Sequence, residues 1–393
     1  MRARIIGPAR AGWPSGGSIY NEHIAQHWGV GLETLPGSWP DPSDRDVSAL
    51  VASLTACTDD EMGQGCQQNP VLLDGLIGCA APGALATARA SGVRVVLLVH
   101  LPLPAETGWS PGLAADVTRR EGQALHEASA VACTSGWAAA DLHRRYGTSS
   151  ITVAEPGTTS ADIAVGSNPP VLLTPAAFTP RKNHAFLLTA LADRQVRDLD
   201  WSATWVGAEP ISGRRETVRR GVVGAGLAHR IEVAAAMSAR ELDALYAVSN
   251  LVLLPSLAET YAMVLTEGFA RGIPAIVGAD TGAAATLAGG LDRVSRTPAP
   301  PEATAPGVAS PALPGSVSSG PALPWSAALG AALPGAALPL DDPGVWAETL
   351  RAWLTQEATR ARWRDAALAR RAELPTWAEA AHTLRQLMHP EAA

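Results

Sequence analysis

The chain has 393 residues, of which 47% are hydrophobic and 17% are charged, and its formal net charge is −7. This length predicts two domains, and the hydrophobic content excludes a globally disordered chain. The negative charge and the absence of a long run of basic residues argue against nucleic acid as a partner.

The cysteines and the amino terminus indicate a reducing compartment. Cys57, Cys66, Cys79 and Cys133 form no C-x-x-C pair, so their spacing predicts free thiols and no metal site. The opening MRARIIGPAR has no apolar signal region, and no apolar stretch reaches the roughly 20 residues of a membrane span. We therefore expect a cytoplasmic protein without a transmembrane segment.

Short apolar runs alternate with helical stretches along the whole chain. The first half contains ARIIG, PVLLDGL, VRVVLLVH and SAVACTS, and the second half contains PVLLTPA, WSATWVG, RIEVAAA, LVLLPS and IPAIVG. Runs of this kind with Ala-rich amphipathic segments between them predict βαβ units and parallel sheets. The cluster TTSADIAVGSNPP separates the halves, because its Gly, Ser, Asn and Pro residues interrupt the periodicity. The pattern predicts two open α/β sheets in series.

Two segments near the end of the chain differ from this alternation. Residues 291–334 are rich in Pro, Ala, Gly and Ser and contain an imperfect PALP recurrence, which predicts a mobile low-complexity insertion. The closing segment PTWAEAAHTLRQLM has a helical pattern that starts just after a proline. We expect residues 376–393 to form a C-terminal helix that returns to the amino-terminal domain.

Two common nucleotide-binding motifs are absent from the sequence. No G-x-G-x-x-G occurs, so a dinucleotide dehydrogenase is not predicted, and Lys182 has no glycine run before it, which excludes a P-loop. Open α/β sheets bind ligands at the carboxyl ends of their strands. The site should therefore lie in a cleft between the two halves.

The stretch LPSLAETYAMVLTEGFARG combines a buried strand, a loop and the start of a helix. Glu259 falls in the loop, and Glu267 follows after seven intervening residues, about one turn into the helix. Free backbone N–H groups at the helix start would form an anion site between the two acids. Taken singly, each glutamate is equally compatible with a solvated surface carboxylate.

This stretch resembles the E-x7-E signature of the retaining GT-B glycosyltransferases of family 4. The resemblance implies that Glu259 contacts hydroxyls of the transferred sugar and that Glu267 holds the nucleotide ribose. It also implies that the backbone between them meets the donor phosphates, which assigns to the donor site the residues Tyr261, Ala262, Met263 and Val264.

Lys182 is the single lysine among 30 basic side chains. A single lysine could be retained by chance in a chain that otherwise uses arginine. However, the segment FTPRKNH around Lys182 matches the phosphate-binding lysine segment of the family. The resemblance implies that Lys182 neutralises the donor diphosphate and that Arg181 assists. A compact ammonium and a planar guanidinium fork are not interchangeable at a crowded phosphate site.

Further motifs follow the order and spacing of the family. PSGG resembles its glycine loop after the first strand, in which Gly16 and Gly17 let the backbone approach the donor phosphate and the acceptor. His100 ends the run VRVVLLVH and matches a histidine near the reacting sugar, although a lone histidine is more often structural. The acceptor side takes in Tyr20 and Glu106, of which Glu106 could instead cap a turn.

Several positions depart from the family pattern. Ala176 and Ala177 replace a Gly-Arg pair, which removes a second cation that would clamp the diphosphate. The segment ETYA replaces EGxG, so Thr260 and Ala262 add side chains where relatives have glycines. Thr286 replaces a glutamate. These changes imply an unusual donor, a weakened enzyme or a catalytically silent relative.

The resemblance as a whole implies a metal-independent, retaining hexosyltransferase with the α/β GT-B fold, two Rossmann-like domains with a cleft between them. Residues 1–165 would form the acceptor domain and residues 166–375 the donor domain. The substrates would be a nucleotide-diphosphate sugar and a small-molecule or glycan acceptor, with no cofactor, and the catalytic residues would be His100, Lys182 and Glu259.

Two alternatives to this function stay open. A non-catalytic sugar-nucleotide-binding protein on the same fold is the main alternative, and the departures at Ala177 and Thr286 favour it. A phosphorylase-like enzyme is disfavoured, because no lysine remains for pyridoxal phosphate once Lys182 is assigned.

Overall fold

The first half of the chain folds around a six-stranded parallel sheet. The structure is a computed structural model that describes residues 3–9, 12, 15–56, 58–59, 66–67, 69–289 and 333–389. Its first eight strands are β1 (Arg4–Pro8), β2 (Leu32–Leu35), β3 (Thr58–Asp59), β4 (Cys66–Gln67), β5 (Val71–Asp74), β6 (Val95–Val99), β7 (Ala130–Cys133) and β8 (Ile151–Val153). Strands β3 and β4 form a separate antiparallel pair, and the other six lie in the order β2-β1-β5-β6-β7-β8.

The second half contains another six-stranded parallel sheet. Its strands are β9 (Val171–Pro175), β10 (Ser202–Gly207), β11 (Ile231–Ala235), β12 (Leu251–Leu254), β13 (Ala275–Gly278) and β14 (Gly335–Leu338). Their order is β11-β10-β9-β12-β13-β14, which is the strand order of a Rossmann sheet. The predicted insertion at 291–334 lies outside the described residues except for its last two positions.

Helices cover both faces of the sheets. Those in the first half are α1 (Gly16–Trp28), α2 (Asp44–Thr55), α3 (Gly75–Gly78), α4 (Pro82–Ala90), α5 (Pro111–Glu127) and α6 (Gly136–Tyr146). Those in the second half are α7 (His184–Ala192), α8 (Arg214–Gly224), α9 (Ala239–Val248), α10 (Met263–Phe269), α11 (Gly282–Ala288), α12 (Pro343–Thr355), α13 (Glu357–Arg371) and α14 (Trp377–Met388). Within the described ranges, none of these helices is long and apolar enough to cross a membrane.

Burial on both faces explains why the central strands have uninterrupted apolar sequences. In β6, Val95 and Leu97 pack into the core beneath α2, α4 and α5, whereas Val96 and Leu98 pack into the core beneath α1 and α14. Successive side chains of a strand point to opposite faces, so a strand covered on both sides carries apolar residues at every position. The apolar run is therefore a direct consequence of the three-layer arrangement.

The last helix, α14, packs against α1 of the first half. Trp28 donates its indole N–H to the carbonyl oxygen of Ala381 at 2.9 Å, and the Trp377 ring stacks on His23 with ring centroids 4.1 Å apart. Helix α14 therefore contacts the first sheet and its helices. The exact domain bounds, 1–165 and 166–375, stay a prediction.

Each sheet has a point at which the direction of strand addition reverses. The point lies between β1 and β5 in the first sheet and between β9 and β12 in the second. Open α/β sheets bind ligands outside the carboxyl ends of the strands at such a point. The loops that follow these four strands are therefore the place to look for a site.

Candidate active site

The loop after β9 presents two adjacent cations. It passes through a short 3-10 helix, Pro180–Lys182, and Asn183 then adopts a left-handed conformation (φ 55°) that leads into α7. The carbonyl oxygen of Arg181 accepts a hydrogen bond from the backbone N–H of Leu257 at 2.8 Å. This bond joins the loop after β9 to the loop after β12, on the other side of the reversal point.

Lys182 and Glu259 form a hydrogen-bonded ion pair between these two loops. Lys182 Nζ contacts Glu259 Oε1, and Arg181 Nη1 lies 3.7 Å from the same oxygen. Arg181 Nη1 also donates to the carbonyl oxygen of Ala258 at 2.8 Å. The side chains of Lys182 and Glu259 are 15% and 10% exposed, so the pair has limited access to water.

The protonation of this pair reflects burial and charge together. Burial acts to raise the pKa of Glu259, but Lys182 and Arg181 outweigh it and hold that pKa below its usual value. Burial and the neighbouring Arg181 lower the pKa of Lys182, and the attraction of Glu259 only partly offsets them. Glu259 is therefore ionised at neutral pH and able to accept hydrogen bonds from hydroxyl groups.

The loop between Glu259 and α10 is held by buried hydrogen bonds. Gly282 donates its backbone N–H to the carbonyl oxygen of Glu259 at 2.7 Å, and Thr286 Oγ1 donates to the carbonyl oxygen of Tyr261 at 2.5 Å. Thr286, where relatives have a glutamate, thus fixes the backbone of the loop. The resemblance assigns the donor phosphates to the backbone of Met263 and Val264, and α10 does begin at Met263.

Ala262 adopts a backbone conformation that favours glycine. Its φ and ψ are 67° and 72°, in the left-handed region, at the position where the family pattern has a glycine. The Cβ atom makes this conformation unfavourable for other residues by about 1 kcal/mol. Ala262 therefore retains a strained backbone immediately before α10.

We expect Ala262→Gly to raise the melting temperature slightly, because it relieves this strain at a cost of only some additional unfolded-state entropy. Thermal unfolding of the variant beside the wild type measures the effect. Ala361→Gly is the matched control, since Ala361 is exposed inside α13. That control should lose about 1 kcal/mol of stability. Equal losses for both variants would contradict the strain at Ala262.

Glu267 lies on α10 and is bonded to a tyrosine of the neighbouring helix α9. Tyr246 donates its hydroxyl to Glu267 Oε2 at 2.9 Å. Burial raises the pKa of Glu267, and the bond from Tyr246 and the charge of Arg271 only partly oppose it. The carboxyl group is thus held at an energetic cost, which is typical of a functional group rather than a stabilising one.

We expect Glu267→Gln to raise the melting temperature at neutral pH while weakening donor binding. A buried acid with a raised pKa loses native-state stability as the pH rises from the unfolded value through the folded value, and glutamine removes this loss. The amide still accepts the bond from Tyr246. The melting temperature at pH 5 and at pH 8 should therefore differ less in the variant than in the wild type. A larger difference would refute this account.

His100 follows β6 and is bonded to a polar pair beneath it. The carboxylate of Asp74 accepts from Asn21 Nδ2 at 2.6 Å and from the backbone N–H of Leu76 at 2.8 Å. This orients Asn21 so that its Oδ1 lies 3.0 Å from His100 Nε2, which therefore carries a proton. His100 Nδ1 has no partner among the described residues, although it is inaccessible to water.

Asn21 and Asp74 were not predicted from the sequence. Burial acts to raise the pKa of Asp74, but the bonds from His100, Leu76 and Asn21 outweigh it and keep the group ionised. Asp74 is the last residue of β5, on one side of the reversal point. The rule that ligands bind at the carboxyl ends of strands could have identified it.

The glycines and Tyr20 occupy different surroundings. A Cβ atom on Gly17 would lie 3.0 Å from Cδ2 of His100, so Gly17 leaves room for that ring, and a Cβ atom on Gly16 would lie 3.8 Å from the sulfur of Met263. Tyr20 is 1% exposed and donates its hydroxyl to the carbonyl oxygen of Ala154 at 3.0 Å. An acceptor contact by Tyr20 stays a prediction, and its burial favours a packing role.

Polar contacts join the two halves across the cleft. Glu106, which follows the 3-10 turn Leu103–Ala105, lies with Oε2 3.0 Å from Arg181 Nε. Thr260 Oγ1 donates to the carbonyl oxygen of His100 at 2.7 Å, and Ser135 Oγ donates to the carbonyl oxygen of Thr260 at 2.5 Å. His100 is thereby placed beside the loop that carries Glu259.

A cavity of about 410 Å³ opens beside Asn21 at the carboxyl ends of β1 and β2. Its walls include Gly7, Pro8, Ser18, Asn21, Glu22 and Thr34. Asn21 thus contacts both His100 and the cavity. Among the described residues, no group of three or more His, Cys, Asp or Glu side chains is arranged to hold a metal ion.

The architecture is that of solved GT-B structures, as the sequence predicted. Sucrose-phosphate synthase from Thermosynechococcus elongatus is 16% identical and aligns over 99% of this chain and 98% of its own, with a TM-score of 0.73. HepE from Anabaena, in complex with UDP and glucose, is 14% identical over 99% of both chains, with a TM-score of 0.67. A glycosyltransferase from Rickettsia africae is 12% identical over 99% of this chain and 97% of its own, with a TM-score of 0.64.

The family comparison concerns the second half of the chain. Residues 158–309 match the model of the family described as glycosyl transferases group 1, and this segment contains Arg181, Lys182, Glu259 and Glu267. No curated protein matches the chain. The chain therefore has the GT-B fold, and its second half is similar to glycosyl transferases group 1.

Proposed function

We propose that this protein is a retaining, metal-independent hexosyltransferase of family 4 that moves a sugar from a nucleoside-diphosphate sugar to a small-molecule or glycan acceptor. One observation carries the proposal. Lys182 and Glu259 meet at the reversal point of the second sheet, and the next residue, Thr260, is bonded to the strand end that bears His100. Two cations, a carboxylate and a histidine therefore lie close together between the two sheets.

The donor side would be divided between phosphate, ribose and sugar. Lys182 and Arg181 would bind the diphosphate, with the backbone of Met263 and Val264, and Glu267 would accept hydrogen bonds from the ribose hydroxyls. Glu259 would accept hydrogen bonds from hydroxyls of the transferred sugar.

Departure of the nucleoside diphosphate builds negative charge on its terminal phosphate oxygen. The ammonium of Lys182 and the guanidinium of Arg181 would stabilise that charge at a site with little water. The acceptor hydroxyl would attack the anomeric carbon from the face that the diphosphate leaves and pass its proton to the departing phosphate oxygen. Retention follows, because the new bond forms on the face of the old one.

The acceptor would enter through the first half of the chain. The cavity beside Asn21 presents hydroxyl groups, an amide and a carboxylate at the carboxyl ends of two strands, which suits a hydroxyl-rich molecule. Asp74 and Asn21 would orient His100 beside the loop that carries Glu259. We also propose a cytoplasmic location, since the buried thiols of Cys79 and Cys133 are free, which suits a reducing compartment.

Incubation with a panel of UDP-, GDP- and ADP-sugars, with and without candidate glycan acceptors, tests the proposal. UDP-glucose is the first donor to try, because HepE has been solved in complex with it. We expect slow donor hydrolysis or transfer in the presence of EDTA, and NMR of the product should show the anomeric configuration of the donor. Inversion would refute the retaining mechanism, and a requirement for a metal would refute metal independence.

A non-catalytic sugar-nucleotide-binding protein is the second candidate. Ala177 and Thr286 favour it, because they replace two charged residues of the family pattern. The ion pair of Lys182 with Glu259 also favours it, since the ammonium is already neutralised by a carboxylate. Tight binding of a nucleotide sugar with no turnover of any donor in the panel would establish it.

A further inference from the structure

The ion pair between Glu106 and Arg181 spans the cleft. Arg181 Nε lies 3.1 Å from Glu106 Oε1 and 3.0 Å from Glu106 Oε2. Its N–H therefore donates a bifurcated hydrogen bond to both carboxylate oxygens. The side chain of Glu106 is 29% exposed, and that of Arg181 is 14% exposed. Glu106 belongs to the first half of the chain, whereas Arg181 belongs to the loop that would bind the donor diphosphate.

Carboxylates balance the two cations of the loop after β9. Arg181 pairs with Glu106 and also has Glu259 Oε1 3.7 Å from its Nη1, and Lys182 pairs with Glu259. A bound diphosphate brings at least one further negative charge on each phosphoryl group. Since Ala177 stands where relatives have an arginine, that position supplies no extra cation to compensate. A diphosphate and the Glu106 carboxylate would therefore compete for Arg181.

Arg181 does not depend on Glu106 for its position. Its Nη1 donates to the carbonyl oxygen of Ala258 at 2.8 Å, and its backbone carbonyl accepts from Leu257 at 2.8 Å. Both bonds lie within the donor half of the cleft. Neutralising Glu106 would therefore remove the nearer of the two carboxylates that attract Arg181 without releasing its side chain, and Glu259 Oε1 would stay 3.7 Å from Nη1.

We propose that Glu106 is an internal counter-ion of Arg181 that opposes binding of nucleoside diphosphates and favours their release. This inference rests on the proposed function. It differs from the acceptor contact predicted for Glu106, because the carboxylate acts on the diphosphate through Arg181.

Glu106→Gln tests the competition, because glutamine has the same shape without the charge. The dissociation constants of UDP, GDP and ADP, and of the matching nucleosides, are measured by titration calorimetry for wild type and variant. We expect the variant to bind the tightest of the three diphosphates about fivefold more tightly, the size of a partly exposed ion pair. Binding of its nucleoside, which has no phosphate, should not change.

A double-variant cycle assigns the effect to Arg181. In an Arg181→Ala background, Glu106→Gln should no longer give the full increase in diphosphate affinity. The guanidinium for which the carboxylate and the diphosphate compete is then absent. The matched control is Glu127→Gln, which neutralises a similar ion pair, 2.9 Å from Arg89, outside the cleft, and should leave all affinities unchanged.

Unchanged or weaker diphosphate binding by Glu106→Gln would overturn the inference, as would an equal gain for the nucleoside. Either result leaves the proposed function intact if Lys182→Met still weakens diphosphate binding. The proposed function itself fails if neither wild type nor Glu106→Gln binds any of the three diphosphates, and the inference then fails with it.

Discussion

Lys182→Met should lower kcat/KM for the donor sugar about a hundredfold, the usual cost of removing one preorganised group that stabilises developing negative charge. Methionine keeps the length of the side chain and removes the ammonium, so the change is chiefly electrostatic. The variant also leaves Glu259 with Arg181 as its nearest cation, 3.7 Å away. The loss should therefore appear in both donor affinity and kcat, and initial rates over a range of donor concentrations measure it.

Two further variants identify the cause of that loss. Lys182→Arg should also have a lower kcat/KM, because its planar guanidinium group must fit into the space where the compact ammonium of Lys182 contacts Glu259. Arg194→Met removes an exposed cation from the same half of the chain and should retain wild-type rates. If Lys182→Met kept near-native kcat/KM while remaining folded by thermal unfolding, Lys182 would not be the residue that binds the diphosphate.

The central strands could be predicted because their physical requirement is visible in the sequence. Strands such as β6 and β12 are buried on both faces and consist of consecutive apolar residues. The edge strands β2 and β14 have the sequences LETL and GAAL, and both are partly exposed. Their pairing depends on a neighbouring strand rather than on their own β-propensity, so pattern alone did not indicate them.

Residues of the site that lie within one segment were easier to predict than partners from different segments. Glu259 and Glu267 share a short motif, and Lys182 stands out by its uniqueness in the chain. The contact of Arg181 with Glu106 joins residues 75 positions apart, on opposite sides of the cleft. Nothing in either local sequence specifies such a pair, because it depends on how the two sheets face each other.

The structure also gives physical roles to two departures from the family pattern. Thr260 bonds the carbonyl oxygen of His100, and Thr286 bonds the carbonyl oxygen of Tyr261. Both hydroxyl groups hold the backbone of the loop that carries Glu259, where the family pattern has a glycine and a glutamate. The sequence showed that these positions differ from the pattern, but only the contacts show that the loop is stabilised by them.

The same loop is pressed against the start of α11 at Gly282. A Cβ atom on Gly282 would lie 1.9 Å from the carbonyl oxygen of Thr260 and 2.7 Å from that of Glu259. Both obstacles are backbone atoms, so neither can move aside by a change of rotamer. The Thr260 carbonyl is also the acceptor for Ser135, which belongs to the first half of the chain.

Gly282→Ala should therefore displace the loop, lower the melting temperature by about 5 °C or more and reduce kcat/KM about a hundredfold. The added methyl group breaks the 2.7 Å hydrogen bond from the backbone N–H of Gly282 to the backbone carbonyl oxygen of Glu259. The side-chain carboxylate of Glu259, which would bind the sugar, then shifts with the backbone. Gly112→Ala is the matched control, because Gly112 also lies in the first turn of a helix and has no heavy atom within 4 Å of its would-be Cβ. Thermal unfolding and donor kinetics of both variants test this prediction. A melting temperature and kcat/KM equal to those of the wild type for Gly282→Ala would show that the loop does not depend on this close contact.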